Sequence, residues 1–371
     1  MTSLGVGLLL IVVYTYAGYP LLVALWARLA PHRIEPRPGF EPAVSVCLSV
    51  HNGEKFLAQK LESLQALDYP SHLLEILVYS DGSTDGTVKL AEKLALCDSR
   101  VKVFVSQARL GKPSGLNRLR AEASGHVLLM TDVRQTLAPR ALRALLEPLS
   151  DPAIGCVSGS LVLAGNTGAS AYWRYEKFIR GAEARLGGMV GVSGSLYAIR
   201  RSDLQALPSD VLLDDMFIPL LTAAAHKRIV LSHEAEAYDE ATEDEREFER
   251  KVRTLAGNYQ LVAKLPWLLL PFKNPLWFQF VSHKLLRLAC PFALLGLLLA
   301  SLTLALSPET AWPARRLWQA LAAGQLVFYA LALLGARAGR AGALARTFVV
   351  LNAAAVAGLW RFLRGSQQIA W

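Results

Sequence analysis

Four aspartates carry the chemistry that this sequence makes available. Asp81 closes an apolar run and opens the stretch Asp81-Gly82-Ser83-Thr84-Asp85-Gly86-Thr87. Asp132 follows the apolar run His126–Met130, and Asp214-Asp215 stand together inside Leu212–Phe217. A carboxylate just beyond a strand can accept hydrogen bonds from a ribose or a base edge, and a neighbouring glycine lets a ligand come close to the backbone. A carboxylate among apolar residues is costly to bury charged, which suits Asp215 to the role of a general base with raised proton affinity. Structural readings stand beside both: an Asp-Gly turn with Ser83 or Thr84 as a helix cap, and a cap by Asp214 with Asp215 facing water.

Two groups of cationic or polar residues could meet the charge of a phosphate. Gly111-Lys112-Pro113-Ser114-Gly115-Leu116-Asn117 offers a lysine, an amide and freed backbone N–H groups. Arg250, Arg253, Gly257 and Gln260 recur at spacings of three and four along one stripe of a helix. Such a stripe is ordinarily just the solvated face, yet a glycine inside a helix costs about 1 kcal/mol relative to alanine and points to a close approach there.

The elements that would position these residues alternate. Strands are expected over Val44–Val50, Glu75–Tyr79, Val101–Ser106 and His126–Met130, with helices between them, which implies a mainly parallel sheet. Asp81 and Asp132 then lie on its carboxyl edge, where open α/β sheets bind ligands. A less regular half follows: a strand over Ile154–Leu163, a helix over Ser170–Arg185, small residues at Gly191–Ser195 opening another strand, and a helix over Glu243–Lys264.

Of the 371 residues, 53% are hydrophobic, and the mean hydropathy is +0.31, so membrane segments are expected. Leu4–Trp26 is uncharged and roughly 35 Å long as a helix, and Arg28, Arg33 and Arg37 follow it, which places the next residues in the cytoplasm. The chain divides into an anchor over 1–27, a linker over 28–43, a cytoplasmic domain over 44–264, an interfacial segment over 265–287, and three further spans over 288–371. The expected site is therefore the cytoplasmic face of a multi-pass inner-membrane protein. A transporter is disfavoured because no expected span holds a paired charge. The net charge of +9 fits an anionic leaflet or an anionic small substrate, and no nucleic-acid partner is expected because no basic stripe interleaved with aromatics occurs. Cys47, Cys97, Cys156 and Cys290 have neither zinc nor disulfide spacing.

In the order and spacing of Ser45–Asn52, Ser80–Asp85, Gly111–Asn117, Thr131-Asp132, Gly191–Arg201, Leu213–Asp215 and Arg250–Gln260, the sequence resembles the membrane-bound family 2 glycosyltransferases. The resemblance implies an α/β fold of the GT-A type, with a nucleotide-sugar-binding domain on a mixed, mainly parallel sheet, plus about four transmembrane helices. It implies an inverting hexosyl- or N-acetylhexosaminyl-transferase that takes a nucleotide-sugar donor, with UDP as the expected leaving group, and a lipid-linked or polysaccharide acceptor. Asp81 would contact the nucleoside, and Asp132 would hold Mg²⁺ or Mn²⁺. Lys112, Asn117, Arg250, Arg253 and Gln260 would face the donor. Asp215 would be the base, with Asp214 beside it. The sequence departs from the family at Asp132-Val133-Arg134, where many members have Asp-x-Asp, so Arg134 is a candidate to take over diphosphate charge. The Gln-x-x-Arg-Trp signature of processive synthases is absent. A degenerate, non-catalytic subunit of a polysaccharide secretion complex is the alternative, and a second copy of the chain or secretion-complex components are the further partners left open.

Overall fold

The computed structural model describes residues 1–164, 169–240 and 244–365. Its centre is an eight-stranded mixed sheet in the order β3-β2-β1-β4-β7-β6-β8-β5. Strands β1 (Val44–Val50), β2 (Leu74–Asp81), β3 (Val101–Ser106) and β4 (Val127–Thr131) are mutually parallel, in register from Val44 opposite Leu74 and Val127. Every residue of β1 is buried, as expected of a central strand covered on both faces. The less regular half adds β5 (Thr136–Leu137), β6 (Ile154–Ala164), β7 (Leu196–Arg200) and β8 (Arg228–Glu240), with β7 antiparallel to both β4 and β6.

Helices cover both faces. The helix that precedes the sheet, α1, runs over Thr2–Leu29. Within the domain come α2 (Glu54–Gln65), α3 (Thr87–Cys97), α4 (Lys112–Glu122), α5 (Ala141–Leu149), α6 (Ala169–Arg185), α7 (Asp214–Ala224) and α8 (Asp244–Lys264). Leu142, Leu145, Leu146 and Leu149 of α5 recur on one face and are buried with Val46, Leu48 and Ile76. Cys47, Leu77 and Met130 point to the other face and pack with Leu116, Phe217 and Leu261. The cap of α3 differs from expectation. Asp85 accepts the Thr87 N–H at 3.0 Å, while Thr84 donates its N–H to Asn52 and the Ser83 hydroxyl receives the Asn52 N–H. All four cysteines are free.

Among the described residues, three helices are long and apolar enough to cross a membrane: α1, α9 (Trp277–Leu306) and the broken helix Trp312–Leu363. Two departures from the sequence reading follow. First, α9 begins at Trp277, so half of the expected interfacial segment is continuous with the span. His283 and Arg287 of α9 pair with Glu183 and Glu176 of α6, so a paired charge does exist where this span meets the soluble domain. Second, the last helix breaks at Gly335 and Gly339, both at positive φ, into α10 (Trp312–Leu334) and α11 (Gly339–Leu363). Helix α11, expected as a fourth span, packs along α8. A Cβ on its Gly358 would stand 2.9 Å from the Ala256 nitrogen, Phe362 stacks on Tyr259, and Arg361 pairs with Glu249 at 2.7 Å. Arginines 340, 346 and 361 make this segment less apolar than α9 and account for its leaning on the soluble domain.

Candidate active site

The parallel strands bring the ends of β1, β2 and β4 to one edge, and the loops beyond them interlock. Gly82 has φ +59°, and a Cβ there would lie 2.7 Å from the Arg109 nitrogen, so the turn after β2 requires glycine. Asp81 is completely buried. Its two carboxylate oxygens accept the N–H groups of Leu110 at 2.7 Å and Gly111 at 2.8 Å. Asp81 thus anchors the loop that leads into α4.

That loop delivers Lys112. Its ammonium lies 2.9 Å from Asp132 Oδ1 and 3.2 Å from Asp214 Oδ2, joining the end of β4 to the start of α7. Burial opposes the charge on Lys112, but the surrounding carboxylates outweigh it and hold the proton more firmly than usual. Gly194 completes the cluster, since its Cβ position would be 3.6 Å from Asp215 Oδ2 and 3.8 Å from Asp132 Oδ2. The small residues of Gly191–Ser195 therefore do admit neighbours. Gly191 admits Met216 of α7, whose Cγ would be 2.9 Å from an added Cβ.

Asp215 sits where the two readings of the sequence diverged. Burial, then the adjacent Asp214 charge, push its carboxyl up to about 6, and Lys112 acts against them. A carboxylate with that proton affinity takes up a proton more readily than free aspartate while remaining ionised at neutral pH. Asp214 is buried, and its Oδ2 has no hydrogen-bond partner beyond the nearby lysine charge.

The arginine helix contributes one member to the cluster. Burial lowers the proton affinity of Arg253, while Asp214, Asp215 and Asp132 raise it. Its Nε is a buried donor without a partner among the described residues, which suits an incoming anion. Arg250, three residues earlier, is exposed. The other members of the stripe are structural. Gln260 accepts the Leu212 N–H at 3.0 Å and donates to the Asp210 carbonyl at 2.7 Å. Gly257 makes room for Leu213, whose Cγ would be 2.5 Å from a Cβ there. Both hold the segment that presents Asp214 and Asp215. Asn117 has a structural engagement too: both ends of its amide bond the backbone of Leu207, each at 2.8 Å. Arg134 pairs with buried Asp239.

One residue escaped the sequence reading. Lys60, fully buried on α2, donates to Thr131 Oγ1 and to the Gln135 carbonyl, both at 2.7 Å, and burial pulls its ammonium down to about 7. It holds the end of β4 in place beneath Asp132. A lysine on an amphipathic helix face gives no local sign of such a role.

Among the described residues no group of three or more His, Cys, Asp or Glu side chains is arranged to hold a metal ion. The Lys112 ammonium stands between Asp132 and Asp214. The donors nonetheless fit a hard divalent cation that takes one carboxylate from the protein and its remaining oxygens from a substrate's phosphates, and Asp132 is the residue that would hold it.

The model of "Glycosyl transferase family 2" matches residues 45–207. The chain is 29% identical over 177 residues to the probable glycosyltransferase YdaM of Bacillus subtilis, covering 45% of this chain and 42% of that one. It is 27% identical over 175 residues to an N-acetylglucosaminyltransferase of Rhizobium leguminosarum, covering 45% and 41%. The alignments thus span about two fifths of the length of these relatives. In fold, the chain is similar over 98% of its length to the mannosyltransferase PcManGT of Pyrobaculum calidifontis, solved with GDP-Man and Mn²⁺, with a TM-score of 0.76 and 23% identity, covering 100% of that chain. Asp214, Asp215 and Arg253 lie beyond the family match.

Proposed function

From a chain whose residues 45–207 match the model of glycosyl transferase family 2 and whose fold is of the GT-A type, we propose an inverting transferase. It moves a hexosyl or N-acetylhexosaminyl group from a nucleoside diphosphate sugar to an acceptor hydroxyl at the membrane surface. The observation that carries this reading is the lysine bridge between Asp132 and Asp214, with Asp215 of raised proton affinity beside it. Asp215 accepts the proton of the acceptor hydroxyl as that oxygen bonds to the anomeric carbon. The bond from the anomeric carbon to the diphosphate oxygen breaks at the same time, and its electron pair leaves with the nucleoside diphosphate. Lys112 and Arg253 offset the charge that develops on the leaving group. A divalent ion held by Asp132, when bound, supplies further charge stabilisation to the same phosphates. Asp81 takes no part in the chemistry but sets the height of Lys112 through its loop.

The soluble domain belongs on the cytoplasmic side. With α1, α9 and α10 crossing and α11 lying against the domain, Arg28, Arg33, Arg37, Arg337, Arg340, Arg346 and Arg361 all fall on that side, as the positive-inside rule requires. Labelling from outside intact cells of a cysteine placed at Ser83 would overturn this orientation.

A second reading keeps the ion pair of Lys112 with Asp132 permanently closed, leaving a non-catalytic binding subunit. One experiment separates the two. Purified protein in detergent is offered UDP- and GDP-sugars, and release of nucleoside diphosphate is followed with Mn²⁺, with Mg²⁺ and with chelator. Turnover supports the transferase, and donor binding without turnover in any arm supports the binding subunit.

A further inference from the structure

Pockets open at both ends of the sheet. One, a cavity of about 450 Å³, lies on the carboxyl edge between Asp215 and the membrane helices, with Tyr16 of α1 and Phe348 of α11 in its wall. The other, of about 520 Å³, is lined by Arg120, His126, Arg200, Arg201 and Ser202, all of the soluble domain. Strand register places it at the amino edge. Arg200, the last residue of β7, stands opposite Val127, the first of β4, while Leu196 stands opposite Thr131 beside the aspartate cluster. The second pocket therefore opens away from the end of the sheet that meets the membrane helices.

Its three arginines are held in place but not neutralised. Arg120 Nε donates to the Leu204 carbonyl at 2.6 Å, Arg200 to the Leu149 carbonyl that ends α5, and Arg201 to the Ala123 carbonyl just past α4. These bonds fix the direction of each guanidinium and leave most of its N–H groups available. Among the described residues none of the three is paired with a carboxylate. Asp203, the acid next in the chain, accepts the Ser202 hydroxyl at 3.2 Å through Oδ1, and its Oδ2 is buried without a partner. Neighbouring arginines do find acids: Arg118 pairs with Glu122, and Arg228 with Asp151. Carbonyl capping explains each pocket arginine singly but not their convergence, since like charges around one space repel unless an anion joins them.

We propose that this pocket is a second anion site, which takes a small, soluble compound carrying more than one phosphate charge. Its phosphate oxygens meet the forks of Arg120, Arg200 and Arg201, a geometry that suits guanidinium better than ammonium, and His126 closes the rim. The volume exceeds one phosphate group and lies within the usual range of small-molecule sites. The lining is polar throughout, so a lipid chain would gain no apolar contact there. A ligand in this pocket joins α4 to β7, and both elements also reach the aspartate cluster. Lys112 begins α4, about 12 Å along the helix from Arg120, and Gly194 leads into β7. The site thus braces the cluster from behind, and binding there is independent of the transferase reading.

The test uses the full chain in phosphatidylcholine nanodiscs, with chelator present, and titration calorimetry with pyrophosphate, inorganic phosphate, citrate and a short thymidine oligonucleotide. Pyrophosphate is expected to bind at least about tenfold more tightly than inorganic phosphate or citrate, a factor equal to one charge-assisted hydrogen bond. Arg200→Gln and Arg201→Gln should each remove about tenfold of that affinity. Because those arginines also cap carbonyls, His126→Glu supplies a variant that spares the fold. The His126 side chain is exposed and makes no hydrogen bond among the described residues, so reversing its charge should weaken pyrophosphate without lowering the melting temperature of the unliganded protein. Arg253→Gln, at the aspartate cluster, should leave pyrophosphate affinity within about twofold, as expected of a distant, independent site. Undetectable pyrophosphate binding, equal binding of citrate, or wild-type affinity in the His126→Glu protein would each overturn the proposal. Loss of binding in Arg253→Gln would do the same and place the diphosphate at the aspartate cluster. An oligonucleotide that binds more tightly than pyrophosphate and is lost in His126→Glu would overturn it too, and show a nucleic-acid surface.

Discussion

The sheet edge and the membrane-facing cavity are built on opposite plans. At the edge, polar groups close on each other within about sixty residues of chain: Asp81 on the N–H groups of Leu110 and Gly111, and Lys112 on Asp132. In the cavity wall, Tyr19, Glu183 and His283 come from three helices up to 264 residues apart, and Asn258 Oδ1 and Trp173 Nε1 stay without partners. The edge is preformed, with its polar groups already paired. The wall carries unmet hydrogen-bonding capacity. Asp215, beside the lysine bridge and in the cavity wall, lies on the seam between the two.

That contrast can be broken at several points, and the largest effect is expected on the seam. Asp215→Asn keeps the side chain's size but cannot accept the proton, so transfer should fall by about 10²–10⁴-fold with donor affinity retained. Single-turnover rates and donor titrations check this, and near-normal transfer would remove Asp215 as the base. In the parent protein the acid limb of the rate profile should lie near pH 6, above the ordinary aspartate value of 3.8, because the carboxyl holds its proton longer. The sign for stability is the reverse of a salt-bridged aspartate. The folded state binds this proton more tightly than the unfolded state, so the charged form destabilises the fold above about pH 6 and ceases to do so below the free value. Asp215→Asn should therefore melt higher than the parent at pH 7.5, with the difference shrinking as pH falls through that window.

Next comes the anchor of the edge. Asp81→Asn replaces one acceptor oxygen with a donor that faces a backbone N–H, at a cost of about 1–3 kcal/mol. The loop carrying Lys112 should loosen, and nucleoside diphosphate binding should weaken by about tenfold or more, measured alongside melting temperature. Retained affinity would show that the edge is not a rigid cradle. A smaller effect is expected where α8 supports the seam. Gly257→Ala drives a methyl into Leu213, an overpacking cost of about 1–3 kcal/mol that should lower the melting temperature and slow transfer several-fold without altering the pH profile. The smallest concerns Arg134. Its guanidinium is committed to Asp239, so Arg134→Gln should leave the donor KM within about twofold while reducing stability through the buried carboxylate left behind. A large rise in donor KM would restore Arg134 as a diphosphate contact.

Much of the edge was legible in the chain. Strand Val44–Val50 and strand Val101–Ser106 run over the residues expected from alternation and β-branched content, and the helix Asp214–Ala224 begins at the acid pair. These features depend on local propensity and on periodicity over a few turns, which a sequence states directly. The position of Asp81 at a strand end was equally legible, but its role was not. Whether a carboxylate at a strand end faces a ligand or a loop depends on where a segment thirty residues further on folds back. The same limit applies to Asn117, Gln260 and Gly257, whose partners Leu207, Leu212 and Leu213 lie between 44 and 90 residues away.

By itself the sequence determined the alternation of strands and helices, the apolar helices at both ends, and the four aspartates placed at element boundaries. Those are consequences of side-chain chemistry acting over the length of one element. Only the tertiary structure decided that Lys112 joins Asp132 to Asp214, that Lys60 is buried beneath β4, and that α11 leans on α8 where a further span was expected. Each of these is a balance between burying a charge or an arginine-bearing helix and finding it a partner, and that balance is set by groups distant in the chain and adjacent only once it has folded.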